Sequence, residues 1–473
     1  MEDPPGSVKV VVAQFLQKYG YQKTLGHFLN EAGLSLGALQ SGDAAEDLET
    51  IIGERTQYLE RARNDEPSQL DVGVSSIACE QLPRWNYAVQ WAAARELQGA
   101  NGLVISADLS GAQPVLATSS REVLQYGSTL QLEKRSVSSI GCIRKFGWFA
   151  GPRGSRERYA LGMDGSLALL GADGVPLRSW RLHGRMITHA AFFVTTERKI
   201  LCFTYGLDGY IRLHEFDEEM EEPKSMDEYK LVNSCTGFQL AQTDDDEPTL
   251  YYTREDHTHL FVLQVHDLKL QEVYRIALNA AQFSTHSFSV RDMIVVNFEH
   301  IYAADDRNSH LPWSGPGSVL IAATSHTPYM RLIFVELPNT KELPVSSGVP
   351  HTNSATVPNL LDSFTGNSGT TPHQKPAVNS GPKVYYDKVK RNIATPVPQN
   401  LYSQPILALC TVSSGLLVGA DDGVYAVDLH LGNTWKLALP NGNERVKAMA
   451  LHDDFLLVSL SNKTVFIWEA QKD

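Results

Sequence analysis

Apolar and polar positions follow two rhythms along this chain, and the change from one to the other falls near residue 77. In the first stretch Val8, Val11, Val12, Phe15, Leu16 and Tyr19 recur at the i, i+3, i+4, i+7, i+8, i+11 spacing that lines one face of a helix. Gly20 supplies a left-handed end to that helix, Leu25, Phe28, Leu29 and Ala32 form a second stripe, and Gly33 closes it. A pair of helices of roughly 30 residues has too little core to offset its chain entropy, so a second copy is the simplest cover for what stays open. A polar connector then leads to a predicted helix over residues 44–63, capped by Asp43 with Glu46 closing a capping box. Its apolar residues Leu48, Ile51, Tyr58 and Ala62 form a short seam that Arg55 interrupts, which either extends the dimer stem or packs on the neighbouring domain.

From residue 77 the pattern becomes one of short apolar runs separated by Gly, Asp, Asn or Ser turns, the grammar of an all-β domain. Seven similar units can be aligned on the turn before their most regular strand, at Ser120, Asp164, Asp208, Asp256, His326, Asp422 and Asn462. They are spaced 44, 44, 48, 70, 96 and 40 residues apart. Four of those intervals match the ~40–45 residues of a four-stranded propeller blade, and the two long ones hold insertions. The repeated turn has a plain cause: a tight hairpin needs positive φ at one or two positions, which Asp-Gly pairs tolerate. The last unit has room for three strands, and the segment 83–89 is predicted to supply the fourth, so that the two ends of the β region close one blade. Two separate β-sandwiches are the alternative architecture.

The predicted organisation is a helical hairpin over 1–36, a helix and linker over 37–76, five blades over 77–337, a disordered insertion over 338–400, and two blades over 401–473. Three segments break the regularity. Residues 215–228, with 244–247 nearby, form an acidic run expected to join the third and fourth units, either as solvated surface or as a site for a basic peptide. Residues 303–317 form a loop in which Trp313 is a candidate interface anchor. The Ser-, Thr-, Asn- and Pro-rich insertion carries two less polar islands, one with Leu360, Leu361 and Phe364 and one, residues 383–392, that is basic with paired tyrosines.

Composition adds limits. Hydrophobic residues are 42% and charged residues 20% of 473, as in a globular protein. No apolar run reaches the ~18 residues of a membrane span and residues 1–7 lack a secretory signal, so the chain is expected in the cytosol or nucleus, without a membrane. Five scattered cysteines without a C-x-x-C pair argue against a disulfide framework. A net charge of −13 disfavours nucleic acid as a partner. Phosphate-loop and zinc-protease motifs are absent from the sequence, and no catalytic residue, metal or cofactor is assigned. His257 and His259 alternate on a strand but lack a third ligand, and Arg153, Arg156 and Arg158 form a basic loop suited to a phosphate or an acidic peptide.

Two resemblances sharpen this reading. Phe15-Leu16, Gly20-Tyr21, Thr24, Phe28 and Glu31 resemble the LisH motif, with Leu25 where that family usually has alanine. The resemblance implies homodimerisation through a four-helix bundle, with Val8, Val11, Val12, Phe15, Leu16, Tyr19, Tyr21, Leu25, Phe28 and Leu29 at or near the interface. The β units resemble degenerate WD-repeats, most closely residues 206–216 and 461–470, where Trp468-Glu469 stands at the W-D position. No unit shows Gly-His followed by Trp-Asp, so the buried Asp-His-Ser/Thr-Trp network of regular repeats is expected to be missing from most blades. The order LisH, helix, seven-bladed propeller is similar to the lissencephaly-type dynein regulator and to propeller subunits of ubiquitin-ligase and corepressor assemblies. It implies a non-enzymatic dimeric scaffold whose propeller binds other proteins. A propeller-based enzyme or a ubiquitin-ligase substrate receptor is the alternative, and the paired-arginine signature of phosphoinositide-binding propellers is missing.

Overall fold

Both helices form where the stripes place them, in a computed structural model: α1 is Val8–Lys18 and α2 is Gln22–Ala32. The structure describes residues 8–35, 48, 82–110, 113–171, 174–242, 248–255, 257–279, 288–296, 318–337, 382–440 and 443–472. Gly20 (φ 74°) and Gly33 (φ 69°) take the left-handed conformation that terminates each helix. At the first end the N–H of Tyr21 bonds the carbonyl of Leu16 (3.0 Å) and that of Gly20 bonds Gln17 (3.2 Å), which satisfies carbonyls that the helix leaves open. Between the helices Ala13, Leu25 and Leu29 form a small core with Leu16, Phe28 and Leu34 against it. The predicted helix over 44–63 falls outside the described residues, apart from Leu48.

The chain divides into two units, Met1–Val72 and Gly73–Asp473. The second is a seven-bladed β-propeller made of seven antiparallel sheets, with one extra parallel strand on the fourth. The innermost strand of each sheet touches that of the next, and the strand Val446–His452 returns to Val104–Ser110, so the ring is closed. Each pair of adjacent blades shares one buried apolar cluster, seven in all. The strand Gly415–Ala420 shows how. Leu416 and Val418 face the fifth blade while Leu417 faces the seventh, so both faces are buried and the strand reads as a continuous apolar run rather than an alternation.

The last blade is closed by two distant parts of the sequence. Val89–Trp91 pairs with Ala470–Lys472 and Arg95–Glu96 with Phe466–Ile467, as one outer strand interrupted at 92–94. This strand starts where the predicted segment 83–89 ends, because the residues before it do other work. Leu82 is buried in the cluster between the fifth and sixth blades and Trp85 in that between the sixth and seventh. The N–H of Asn86 bonds Ser413 (2.8 Å) and the Tyr87 hydroxyl donates to Asp428 (3.1 Å). Residues 82–97 are therefore a strap across the sixth blade that ends as an edge of the seventh.

Two expectations about the interruptions are corrected. The insertion predicted as disordered over 338–400 ends in two strands, Lys383–Tyr385 and Val389–Pro398. The first adds in parallel to Lys269–Ala277, and the second is the outer strand of the fifth blade, so the insertion lies inside that blade and not between the fifth and sixth. Outer strands bury one face only: Ile393, Thr395 and Val397 point in while Ala394 and Pro396 are exposed, and the polar half hid the strand in the sequence. The basic tyrosine-containing island is thus structured propeller rather than a linker peptide. The acidic run 215–228 likewise does not join two blades. Lys224–Lys230 is the outer strand of the third blade, and 217–223 is its hairpin turn.

Candidate interaction surfaces

On the helical hairpin, Val11, Leu25 and Leu29 are buried, Val12, Phe15, Leu16 and Phe28 are half-buried, and Tyr19 and Tyr21 are 49% and 54% exposed. The side chain of Val8 lies outside the described residues. Leu25, where LisH sequences usually carry alanine, packs on Ala13, so the extra bulk fills the gap left by a small residue on the facing helix. Phe15 and Tyr19, one turn apart, hold their rings 4.9 Å apart and extend the apolar core to an open aromatic edge.

The three arginines of the basic loop are not brought together. Arg153 sits in the turn after Ile143–Ala150 and reaches the acidic turn of the third blade, 2.8 Å from Glu218 and 2.7 Å from Glu219. Arg178 also donates to the carbonyl of Glu219, and the Trp180 indole N–H to that of Glu221 (3.0 Å). The basic loop and the acidic run, two separate candidate sites in the sequence, therefore engage each other. Arg156 and Arg158 lie two residues apart on one strand and turn to the first blade. Arg156 stacks on Trp148 (4.6 Å) and donates to the Leu109 carbonyl, and Arg158 pairs with Asp108 (3.4 Å). Burial raises the Asp108 carboxyl above its ordinary pKa, against the pull of both arginines. Trp313, Leu360, Leu361 and Phe364 lie outside the described residues. His257 sits beside Phe261, on which Arg254 and Arg275 stack at 4.4 and 4.9 Å, and His259 lies beside His257, so guanidinium groups adjoin the pair.

The third blade contains a buried polar network in which His183 is a residue that sequence reasoning missed. Its Nδ1 lies 2.9 Å from Asp208 Oδ1 and its Nε2 2.9 Å from Thr204 Oγ1. A neutral ring with its proton on Nδ1 donates to Asp208 and accepts from Thr204, satisfying all three groups. Burial outweighs the Asp208 bond and lowers the His183 pKa. Burial opposes ionisation of Asp208, but His183, the Gly184 N–H and Arg212 together hold its carboxyl below the usual range. The signal was present as Leu182-His183-Gly184, the reverse of the dipeptide order sought.

The second missed feature is a groove of about 740 Å³ between the outer edges of the sixth and seventh blades. Trp85, Trp91, Trp435 and Trp468 line it, four of the seven tryptophans in the chain, together with Tyr87. The Trp85 and Trp435 rings meet edge to face at 4.9 Å, and Tyr87, 56% exposed, leans on Trp435 at 5.6 Å. These residues come from three separate stretches, so nothing in local sequence marks them as one surface.

Known proteins agree with this architecture. Residues 69–469 match the UCP007778 beta-propeller domain and residues 6–40 the UCP007778 LisH domain. The chain belongs to the UCP007778 family. It is also similar to a Saccharomyces cerevisiae protein, uncharacterized protein YGR117C, with 28% identity over 493 residues that cover 97% of this chain and 96% of the yeast one. In this UCP007778 protein the LisH match contains both helices and the exposed tyrosines, and the propeller match contains the seven blades up to residue 469 of the last strand, Val465–Lys472. Among the described residues no helix is long and apolar enough to cross a membrane.

Proposed function

We propose that this UCP007778 protein is a non-catalytic homodimeric adaptor of the cytosol or nucleus, paired through its LisH helices and binding other proteins through its propellers. The observation that carries the reading is the exposed Tyr19 and Tyr21, with half-buried Phe15 against Tyr19, on a hairpin in which five apolar side chains (Val10, Val11, Ala13, Leu25 and Leu29) are buried among the described residues. Exposed aromatic rings on so short a hairpin gain from burial against a second copy, and the match to a LisH domain supports that occupant. The propeller supports the other half: its blades are locked by shared cores, so its loops are held on a rigid frame, and its tryptophan groove is open aromatic surface of the kind enriched at protein interfaces. Pairing doubles the surface offered to a multivalent partner and raises avidity through effective concentration.

Light scattering on the full chain is expected to give twice 52.3 kDa, and Phe15→Asp/Tyr19→Asp to give 52.3 kDa with the propeller's melting temperature unchanged. Affinity purification with and without residues 1–36 is expected to retain the same partners at lower yield in the truncated form. A wild-type mass of 52.3 kDa at micromolar concentration removes the dimer, and partners captured only through residues 1–36 remove the propeller's role.

A further inference from the structure

In six of the seven strands that ring the propeller axis, pairing with the next strand slips after the first residue and leaves a bulge: Ile105, Arg144, Thr188, Thr236, Arg291 and Lys447. The blades repeat about one axis, so these six residues share one level near the end of the central channel, and three of them are cations. One step further along lie Lys145 and His189, with Asp292 on a distant blade. In a chain of net charge −13, this concentration of positive charge runs against the whole.

Two of these cations stand without a hydrogen bond or ion pair among the described residues. Arg144 and Lys145 are exposed to the water of the channel, yet neither makes a hydrogen bond or ion pair with a described residue. The carboxylate that acts on Lys145 is Asp292, and its oxygens are already engaged by the backbone N–H groups of Met293 (2.9 Å) and Leu407 (2.8 Å). Arg291 donates to the Leu401 carbonyl (3.0 Å), but its Nε has no partner among the described residues. Lys145 and His189 also border a cavity of about 470 Å³, walled by Tyr159, Phe238 and Gln239. Burial pushes the Lys145 ammonium down, Asp292 offsets part of that, and Arg144 adds to it. His189 is pushed down to about 3 by burial and by Lys145 and Arg144, so it adds no charge of its own.

We propose that this end of the channel binds a small free anion carrying two or more phosphate groups, gripped by Arg144 and Lys145 with Arg291 and Lys447 at the same rim. The guanidinium offers a planar fork and the ammonium a point charge, the two kinds of donor that phosphate oxygens accept from. Several unpaired cations around one opening call for a multivalent ligand, since a single charge would leave the rest repelling one another. The site is independent of the dimer and stands or falls without it.

Pyrophosphate is the probe, titrated into the full chain by calorimetry and followed by thermal melting. Wild type is expected to bind and to melt at higher temperature with the ligand. Arg144→Gln/Lys145→Met is expected to bind about tenfold or more weakly, while melting close to wild type without ligand, because both side chains are water-exposed and make no bond to a described residue. Lys447→Gln, at the rim, is the second variant and is also expected to bind more weakly. Arg153→Ala, engaged at the acidic turn, is expected to bind like wild type. The proposal is overturned if wild type shows neither heat nor a melting shift at millimolar pyrophosphate, or if the channel variants bind as wild type does. It is equally overturned if sulfate at matched ionic strength gives the same shift, or if vesicles bearing a phosphorylated inositol headgroup capture the chain as well as the free anion binds.

Discussion

His214 aligns with Trp468 in the repeat pattern, one position before an acidic residue in each case, and it is 5% exposed with no partner for its Nδ1 among the described residues. Burial, with His183 and Arg212 nearby, lowers its pKa to about 4. An unfolded histidine titrates near ~6.5. Above that value both states are neutral and the stabilisation is complete; as pH falls toward about 4, the unfolded chain takes up a proton that the folded one refuses, and stability drops. The loss amounts to on the order of 3 kcal/mol. His214→Phe is therefore expected to show a smaller fall in melting temperature between neutral pH and about pH 5 than wild type. His183, His189 and His259, also shifted down, contribute to the slope that remains. The polar network around His183 was partly legible, since the sequence picked out residues 206–216 as the most regular unit, and Asp208 is in it. The histidine partner lies 25 residues earlier, across a strand pair that only folding brings together.

Strand order within a blade explains why some elements were readable and others were not. Gly20 and Gly33 were visible as helix ends because each follows an apolar stripe and each needs positive φ. Inner and middle strands were visible as apolar runs. Outer strands such as Lys224–Lys230 and Val389–Pro398 face water on one side, and their charge and proline content resembled a loop. The acidic turn between Tyr210–Phe216 and Lys224–Lys230 is held by Arg153, Arg178 and Trp180 of the preceding blade. Pairs this exposed contribute little to global stability but restrict a loop. Arg153→Ala/Arg178→Ala is expected to leave the melting temperature nearly unchanged while glutamyl endopeptidase cuts within 217–223 several-fold faster, as read by mass spectrometry.

The whole propeller depends on a strap whose buried anchor is Trp85, 4% exposed in the cluster between the last two blades. Its ring lies so close to Gly415 that an added Cβ there would come within 2.3 Å of it, which is why that strand begins with glycine. Trp85→Ala is expected to cost about 3–5 kcal/mol in urea melts, the range for emptying a buried aromatic site. Gly415→Val is expected to push the indole out and shift tryptophan emission to the red. Repeat spacing revealed the number of blades, because 40–48 residues recur wherever no insertion intervenes. It could not reveal the tryptophan groove, whose walls are over 300 residues apart in the chain, as are the strands that Val89–Trp91 and Ala470–Lys472 bring together.

That long-range zipper also sets a timetable for biosynthesis. Residues 89–97 leave the ribosome early and must wait for residues 465–472 before they have a partner, so at ~5–20 residues per second the unfinished ring spends tens of seconds with an open seam. The helices at residues 8–32 emerge earlier still, and the cluster of Ala13, Leu25 and Leu29 with Leu16, Phe28 and Leu34 draws only on residues 13–34. The pairing proposed for these helices would thus be open to two chains while both rings are still incomplete.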